Sequence, residues 1–338
     1  MIYIMTNEMR YIYELYKAKS FSKAAEKLFI TQPALSICVQ KVEKDLGMPI
    51  FYRNKKVLSL TEAGEKYIQA IEHIDFIEKN MYDEINDLKN LNSGYLTIGG
   101  TQYINSYILP PVICRFYPKY PNIKIQIHEN PSNRLLDALE NGQIDLTFNC
   151  SEIDKSKFTT SHAFYDWIVL AVPGHFVSVD ALPYALTKED LLFNAHVLPM
   201  RPHVPLQLFA NIPFIFLTEG NNLYERTKSF IQQANIHPPV ALDAAQMVTA
   251  FNYCCSGIGA TFISAYLVSQ NSPKNMYYFK IDSPLCVRNF QSILNHKRHT
   301  SLAVKAFLNE FCDVYSEDSS HPWNMPGLPK MSFTPSNS

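Results

Sequence analysis

The chain has 338 residues, of which 47% are hydrophobic and 18% charged, and its formal net charge is −1. No apolar run approaches the roughly 20 residues that span a bilayer, so the composition excludes a membrane-spanning protein. The length suits two or three domains with ample cores, and the N-terminus lacks the basic and apolar segments of a secretory signal, so we expect a cytoplasmic protein.

The cysteines give no sign of a metal centre. The sequence has seven of them, and they form no C-x-x-C pair and no cluster with histidine at zinc-ligand spacing. We therefore expect mostly buried free thiols, no metal site and no cofactor.

The charges are distributed unevenly along the chain. The first 66 residues carry 11 Lys or Arg and 7 Asp or Glu, a net charge of +4, which leaves −5 for the remainder. A basic first domain on an acidic body is typical of a DNA-binding head joined to another domain, although an excess of this size also occurs on many other domains.

The segment from Ser20 to Gly47 predicts two short helices joined by a tight turn. Ser20 and Thr31 stand where helix N-caps are needed, and Pro33 falls in the first turn of the second helix, where its missing N–H costs little. The apolar residues of the second helix form one stripe, namely Ala34, Leu35, Val39, Val42 and Leu46. Two short helices, the first rich in alanine, are the helix-turn-helix pattern that reads a major groove.

A small β-wing is predicted next, in the string MPIFYRNKKVLSLT. Arg53, Lys55 and Lys56 lie at its tip, where cations can follow DNA phosphates. The alternative is a hairpin tip that is simply solvated.

A long helix opens after Thr61, which can cap it. Apolar residues recur along this helix at heptad-like spacing, interrupted by Glu78, and they are Ile71, Ile74, Met81, Ile85 and Leu88. The simplest burial for this seam is a second copy of the helix, so we predict dimerisation; the alternative is packing against the chain's own body.

From Tyr95 the pattern changes to alternating strands and helices. Strands are predicted at LTIGG, Ile123–Glu129 and IDLTFN, with helices at Ser106–Tyr117 and SNRLLDALENG between them. This order predicts a parallel sheet with helices on both faces, whose ligands bind beyond the carboxyl ends of the strands. A second unit is expected to start at Trp167, while Met276–Asp282 and the helix Ser301–Tyr315 return to the first.

These patterns resemble the LysR-type transcriptional regulators. The matching strings are SFSKAAEKL, TQPALS and, in the body, LTIGG, LLDALENGQIDLTF, LAVPGHF and CCSGIGATFIS. The family pattern has polar residues at Ile37 and Cys38 and a proline at Ser264. The resemblance implies an α/β protein with a winged helix-turn-helix head (1–61), a dimerisation helix (62–92) and a body (93–315) similar to periplasmic solute-binding proteins. The body would have one subdomain of residues 93–166 and 270–315 and another of 167–269, followed by a disordered tail (316–338) rich in Ser and Pro.

The resemblance also implies a transcriptional regulator, not an enzyme, that binds an inverted repeat in double-stranded DNA as a homodimer or homotetramer. Gln32 can pair bidentately with adenine, and Ile37 can touch a thymine methyl group. The residues expected at DNA are Ser22, Thr31, Gln32, Pro33, Ser36, Ile37 and Gln40 of the head, with Arg53, Lys55 and Lys56 of the wing.

The family's small-molecule effector lies in the cleft between the subdomains. Carried over to this sequence, the strand-end and loop positions of that cleft are Thr101, Gln102, Asn149, Cys150, Thr218, Ala245, Gln246, Gly257 and Ile258. Thr101 also stands where a helix start could meet an anionic ligand.

Two other functions compete with a regulator. The α/β body could be an enzyme with Cys150 as nucleophile, but the sequence has no nucleophile elbow, phosphate loop or paired base. Cys150 or the Cys254–Cys255 pair could instead form a redox switch, although adjacent cysteines rarely bridge each other. Neither alternative carries a motif comparable with the helix-turn-helix.

Overall fold

The computed structural model describes residues 5–52, 58–87, 94–220, 222–271 and 273–317. The chain divides into two compact units between Leu88 and Lys89. The predicted tail lies outside the described residues, apart from 316 and 317. Among the described residues, no helix has both the length and the apolar character needed to cross a membrane.

The first unit is a helical head with a short hairpin. Its elements are α1 (Asn7–Ala18), α2 (Phe21–Lys27), α3 (Gln32–Leu46), β1 (Phe51–Tyr52), β2 (Ser59–Leu60) and α4 (Glu62–Asp87). Ala24 and Ala25 of α2 are buried between α1 and α3, where their small side chains allow the helices to cross closely. The start of α4 packs into the same core through Ile68 and Ile71.

The second unit begins with a three-stranded parallel sheet. Strands β3 (Gly94–Gly100), β4 (Ile123–Glu129) and β5 (Leu146–Asn149) lie in the order β4-β3-β5, as the alternating pattern predicts. The connecting helices are α5 (Leu109–Lys119) and α6 (Ser132–Glu140). The helix predicted at Ser106–Tyr117 starts earlier, because a π-helical turn at Ile104–Ile108 leads into α5.

A single long strand then carries the chain from one subdomain to the other. Strand β6 (Phe158–Pro173) pairs along its first part with β12 (Val287–Asn295), which also pairs with β5. Its last part pairs with β10 (Thr261–Ser264) and β11 (Met276–Phe279). The strand predicted to start a new unit at Trp167 therefore begins at Phe158, nine residues earlier. It runs from the first subdomain into the second without a break.

The second subdomain surrounds the far end of β6. Its other elements are β7 (Ala185–Leu186), α7 (Lys188–Leu192), β8 (Phe214–Leu217), α8 (Asn222–Gln233), β9 (Val240–Ala244), α9 (Met247–Cys255) and α10 (Ala265–Asn271). Strand β11 pairs with β6 and β7, so the prediction that Met276–Asp282 completes the first subdomain is wrong. Only β12 and the final helix α11 (Leu302–Glu317) return to the first subdomain, where α11 packs on α5 and β3.

Candidate DNA-reading helix and ligand cavity

Helix α3 has one buried face and one open face. Thr31 Oγ1 accepts a hydrogen bond from the Ala34 amide (3.3 Å), and Gly47 ends the helix with a left-handed φ of 72°. Leu35 and Val39 are buried in the head core. The opposite side presents most of the residues predicted at DNA: Gln32, Pro33, Ile37 and Gln40 are exposed and Ser36 is half-buried.

Ser22 and Gln32 are joined across the turn between α2 and α3. The Ser22 hydroxyl donates to Gln32 Oε1 at 3.3 Å, and both residues are exposed. A glutamine side chain recognises adenine through the oxygen and the nitrogen of its amide together. The bond from Ser22 therefore orients the Gln32 amide that would contact the base. The sequence pattern alone did not assign that role to Ser22.

The same turn carries a feature that the sequence analysis missed. Phe29 follows α2 with a positive φ of 55° and is almost fully exposed. Its amide donates to Glu26 O and the Ile30 amide donates to Ala25 O, which is the Schellman arrangement that usually places glycine at this position. The predicted wing contacts Arg53, Lys55 and Lys56 lie outside the described residues.

The predicted seam on α4 is partly wrong. Ile71 is fully buried in the head core, and Ile74 packs against the same core, because the first turns of α4 lie against the head. Further along, Ile77 is 58% exposed, Met81 is half-buried and Ile85 is 43% exposed. Spaced four residues apart, these three lie near one face of the helix. Leu88 lies outside the described residues.

The α/β unit holds a cavity of about 380 Å³ between its subdomains, a volume within the range of small-molecule sites. Seven of the nine predicted effector residues line it, namely Thr101, Gln102, Asn149, Cys150, Thr218, Ala245 and Gln246. They meet there because the carboxyl ends of β3, β5, β8 and β9 all point to this edge.

Gly257 and Ile258 do not line this cavity. They follow the carboxyl end of α9, whose amino end is at the cavity, and a nine-residue helix is about 13 Å long. Gly257 instead lies in the turn that ends α9, where its φ is 88° and its amide donates to Cys254 O at 2.9 Å. A side chain there would also meet the His175 ring.

A buried ion pair lies beside the cavity. Asp166 on β6 and Arg288 on β12 are register partners, with 1% and 5% of their surfaces exposed. Arg288 Nε donates to Asp166 Oδ2 at 2.7 Å, and Nη2 donates to the same oxygen. The other carboxylate oxygen accepts from Ser264 Oγ (2.5 Å) and Tyr103 Oη (3.4 Å).

Tyr103 contributes to this group as a hydrogen-bond donor. Burial, together with the nearby Asp166 carboxylate, raises the pKa of its phenol well above the ordinary value, so the hydroxyl keeps its proton. The Arg288 guanidinium lies 5.5 Å from the centre of the Tyr103 ring and 5.2 Å from that of Phe290. Sequence reasoning missed Asp166 and Arg288, because no local motif links residues 122 positions apart.

Asn222 connects the two sides of the cavity. It opens α8 in the second subdomain and donates through Nδ2 to the hydroxyl of Ser151, which follows β5 in the first subdomain, at 3.1 Å. Its Oδ1 accepts from Arg226 Nε (2.8 Å) and from the Cys150 thiol (3.2 Å).

The three cysteines considered as reactive groups, Cys150, Cys254 and Cys255, have raised thiol pKa values. Burial raises the pKa of Cys150, and it raises that of Cys255 to about 11 and that of Cys254 further. A thiol with a raised pKa holds little of the reactive thiolate at neutral pH, so these three residues lack the lowered pKa that is typical of a catalytic or redox-sensing cysteine. In the part of the chain that the structure describes, no group of three or more His, Cys, Asp or Glu is placed to hold a metal ion.

Comparisons with known proteins agree with this arrangement. The model of the LysR substrate binding domain matches residues 89–315, and that of the bacterial regulatory helix-turn-helix protein, lysR family, matches residues 6–65. A probable RuBisCO transcriptional regulator of Emiliania huxleyi is 27% identical over 319 residues, which cover 91% of this chain and 94% of the relative. The uncharacterized HTH-type transcriptional regulator YcgK of Bacillus subtilis is 26% identical over 306 residues, covering 89% and 91%.

A solved structure shares the fold along most of the chain. Full-length CbnR in complex with its target DNA superposes with a TM-score of 0.64 at 16% identity, over 92% of this chain and all of that one. At this identity the likeness concerns the fold alone.

Proposed function

Because the chain belongs to the LysR family of transcriptional regulators, we propose that it binds an inverted-repeat promoter site as a homodimer or homotetramer and that a small-molecule effector in the cavity changes this binding. The family supplies the helix-turn-helix head and the effector-binding body. The effector, the oligomer and the individual contact residues are the proposed part.

The open face of α3 is the observation that carries the DNA-binding half of the proposal. It presents Gln32 at the amino end of the helix, held by Ser22, with Ile37 and Gln40 following on the exposed side. Recognition helices of this class contact base edges with their amino-terminal residues. We therefore assign direct base contact to Gln32 and an apolar contact with thymine to Ile37.

The exposed apolar residues of α4 support the oligomer. Ile77, Met81 and Ile85 are exposed or half-buried within one chain, and a second α4 would cover them. A two-fold dimer holds two copies of α3 and so requires two inverted half-sites. Members of this family commonly assemble further into tetramers.

The test is a mobility-shift titration of the full-length protein on DNA from upstream of its own gene, with single-base variants of the bound site. We expect Gln32→Ala to weaken specific binding by about 1–3 kcal/mol and to relax the preference at one base pair. Gln69→Ala, an exposed glutamine on α4, is the matched control and should bind as the wild type does. If the Gln32 variant keeps full discrimination at every position, Gln32 does not read a base.

A further inference from the structure

The start of the wing is bound by a side chain of α3. We call residues Pro49, Ile50 and Phe51 the wing base. Oε1 of Glu43, on α3, accepts from the Ile50 amide at 2.9 Å and from the Phe51 amide at 3.2 Å. Hydrogen bonds to a carboxylate are stronger than those between neutral groups. The helix that presents Gln32 therefore also carries the acceptor that fixes the start of β1.

The first residue before α4 binds the wing base from the other side. The Thr61 hydroxyl donates to Pro49 O at 2.5 Å and lies 3.3 Å from Ile50 O, while the Thr61 amide donates to Ile50 O at 3.0 Å. The same hydroxyl oxygen accepts from the Gly64 amide at 3.0 Å in the first turn of α4. Thr61 is 8% exposed, so these bonds are shielded from water.

Gly64 brings α4 into direct contact with the wing base. A Cβ atom at Gly64 would lie 2.1 Å from Ile50 O and 3.2 Å from the Leu60 side chain, so the backbone of the wing base occupies the space of a side chain. Side chain or backbone groups of α3, of the wing base and of α4 thus meet at one point. The wing base cannot shift against either helix without losing these contacts.

The wing has little pairing of its own to set its direction. Strands β1 and β2 pair over only two residues each, and so short a hairpin is marginal by itself. The predicted phosphate contacts Arg53, Lys55 and Lys56 follow β1 directly in the sequence. Phosphate contacts fix the register of a protein on the duplex, so these cations must be held at a set distance from the bases that α3 reads.

We propose that Glu43 and Thr61 are positioning residues for DNA binding. They hold the wing base between α3 and α4, so that the cations of the wing meet phosphates while α3 lies in the major groove. Neither residue needs to touch DNA, because each acts through the backbone of the wing base. This inference rests on the proposed function, since it presupposes that the head binds DNA.

The test compares Glu43→Gln with Glu43→Met in the full-length protein. Both variants remove the negative charge and keep a side chain of similar length, but only glutamine keeps an oxygen that accepts from the two amides. General electrostatics therefore predicts the same change in both variants, whereas the proposal predicts a difference. Fluorescence anisotropy titrations at several salt concentrations, on DNA from upstream of the gene and on random DNA, give the affinity and the log–log salt slope.

We expect Glu43→Gln to keep the wild-type slope and Glu43→Met to reduce it by about two, at roughly 0.9 per lost phosphate contact. Glu43→Met should weaken both DNAs about equally and keep the base preference that depends on Gln32, which lies about 16 Å away along α3. Adding Lys55→Ala and Lys56→Ala to Glu43→Met should change the slope little further, because those contacts are already lost. Equal slopes in the two Glu43 variants, or a full further loss in the combined variant, would overturn the proposal.

Thr61 provides a second pair of variants, which decides the question if circular dichroism shows that Glu43→Met does not fold. Thr61→Ser keeps the hydroxyl and Thr61→Val removes it with little change of shape, so only Thr61→Val should reduce the salt slope. A role in stability alone would lower the Tm of Thr61→Val and leave its slope unchanged, which contradicts the proposal. Wild-type protein that prefers no DNA site would contradict the proposed function, whereas a bound site with equal slopes within each pair contradicts only this inference.

Discussion

Loss of the Asp166 carboxylate should destabilise the α/β body strongly. In Asp166→Asn the side chain keeps its shape and one acceptor, but the Arg288 guanidinium, 5% exposed, loses its counter-charge. Removing one partner of a buried ion pair typically costs about 3–5 kcal/mol, because the other charge remains uncompensated. We expect a loss of this size in the free energy of unfolding.

Urea denaturation of the full-length protein followed by circular dichroism measures the effect. The matched control is Glu140→Gln, which breaks the exposed Glu140–Lys157 pair (2.8 Å) and should leave the midpoint unchanged. The double variant Asp166→Leu with Arg288→Met removes both charges and should recover most of the stability. A loss below about 1 kcal/mol in Asp166→Asn, or a double variant less stable than the single one, would refute the reasoning.

Three further outcomes are expected. Replacing Lys55 and Lys56 by alanine should weaken specific and random DNA about equally and reduce the log–log salt slope by about one per lost phosphate contact, measured by titration at several salt concentrations. Burial lowers the pKa of His196 from 6.5 to about 4, so only the unfolded chain takes up the proton as the pH falls between those values. Stability should therefore fall below pH 6.5 by about 1.4 kcal/mol per pH unit, and denaturation of His196→Phe should lack this component. Aspartate at both Ile77 and Ile85 should lower the sedimentation coefficient of the full-length protein and, through lost dimerisation, its DNA affinity, while the circular dichroism spectrum stays unchanged.

The local features of the head could be predicted from the sequence. Ser20 and Thr31 accept hydrogen bonds from the third residue beyond each, and Gly47 ends α3 with a left-handed φ, as the pattern indicates. Caps and apolar periodicity depend on neighbours within a few residues, so one sequence is enough to place them.

The seam on α4 shows where periodicity stops being informative. Spacing identifies Ile71 as a residue that needs burial, but it does not say which surface provides it. The head core buries Ile71, and the amide of Met5 donates to the buried carboxylate of Glu78 at 3.4 Å. The exposed apolar side chains are Ile77 and Ile85, which lie on another side of α4 from the buried Glu78 or beyond it.

The sequence predicts the cavity residues that follow the carboxyl ends of strands. It misses the residues that come together only through the pairing register of two distant strands. Their strand-end positions bring Asn149 and Thr218 to one edge, whereas Gly257 satisfies a turn at the opposite end of α9. Asp166 and Arg288 meet only because β6 and β12 pair in one particular register, which no local pattern in the sequence specifies.

Ser264 links the second subdomain to the buried pair of Asp166 and Arg288. The family pattern has proline here, which offers neither a hydroxyl nor an N–H. In this chain the hydroxyl donates to Asp166 and accepts from the Tyr266 amide, and the backbone amide contacts Met247 Sδ at 3.3 Å. Asp166 thus holds Tyr103 from the first subdomain and Ser264 from the second while it fixes Arg288 at the cavity wall. Arg288 at the cavity wall therefore belongs to a group bonded to both subdomains, and the departure at Ser264 is part of that connection.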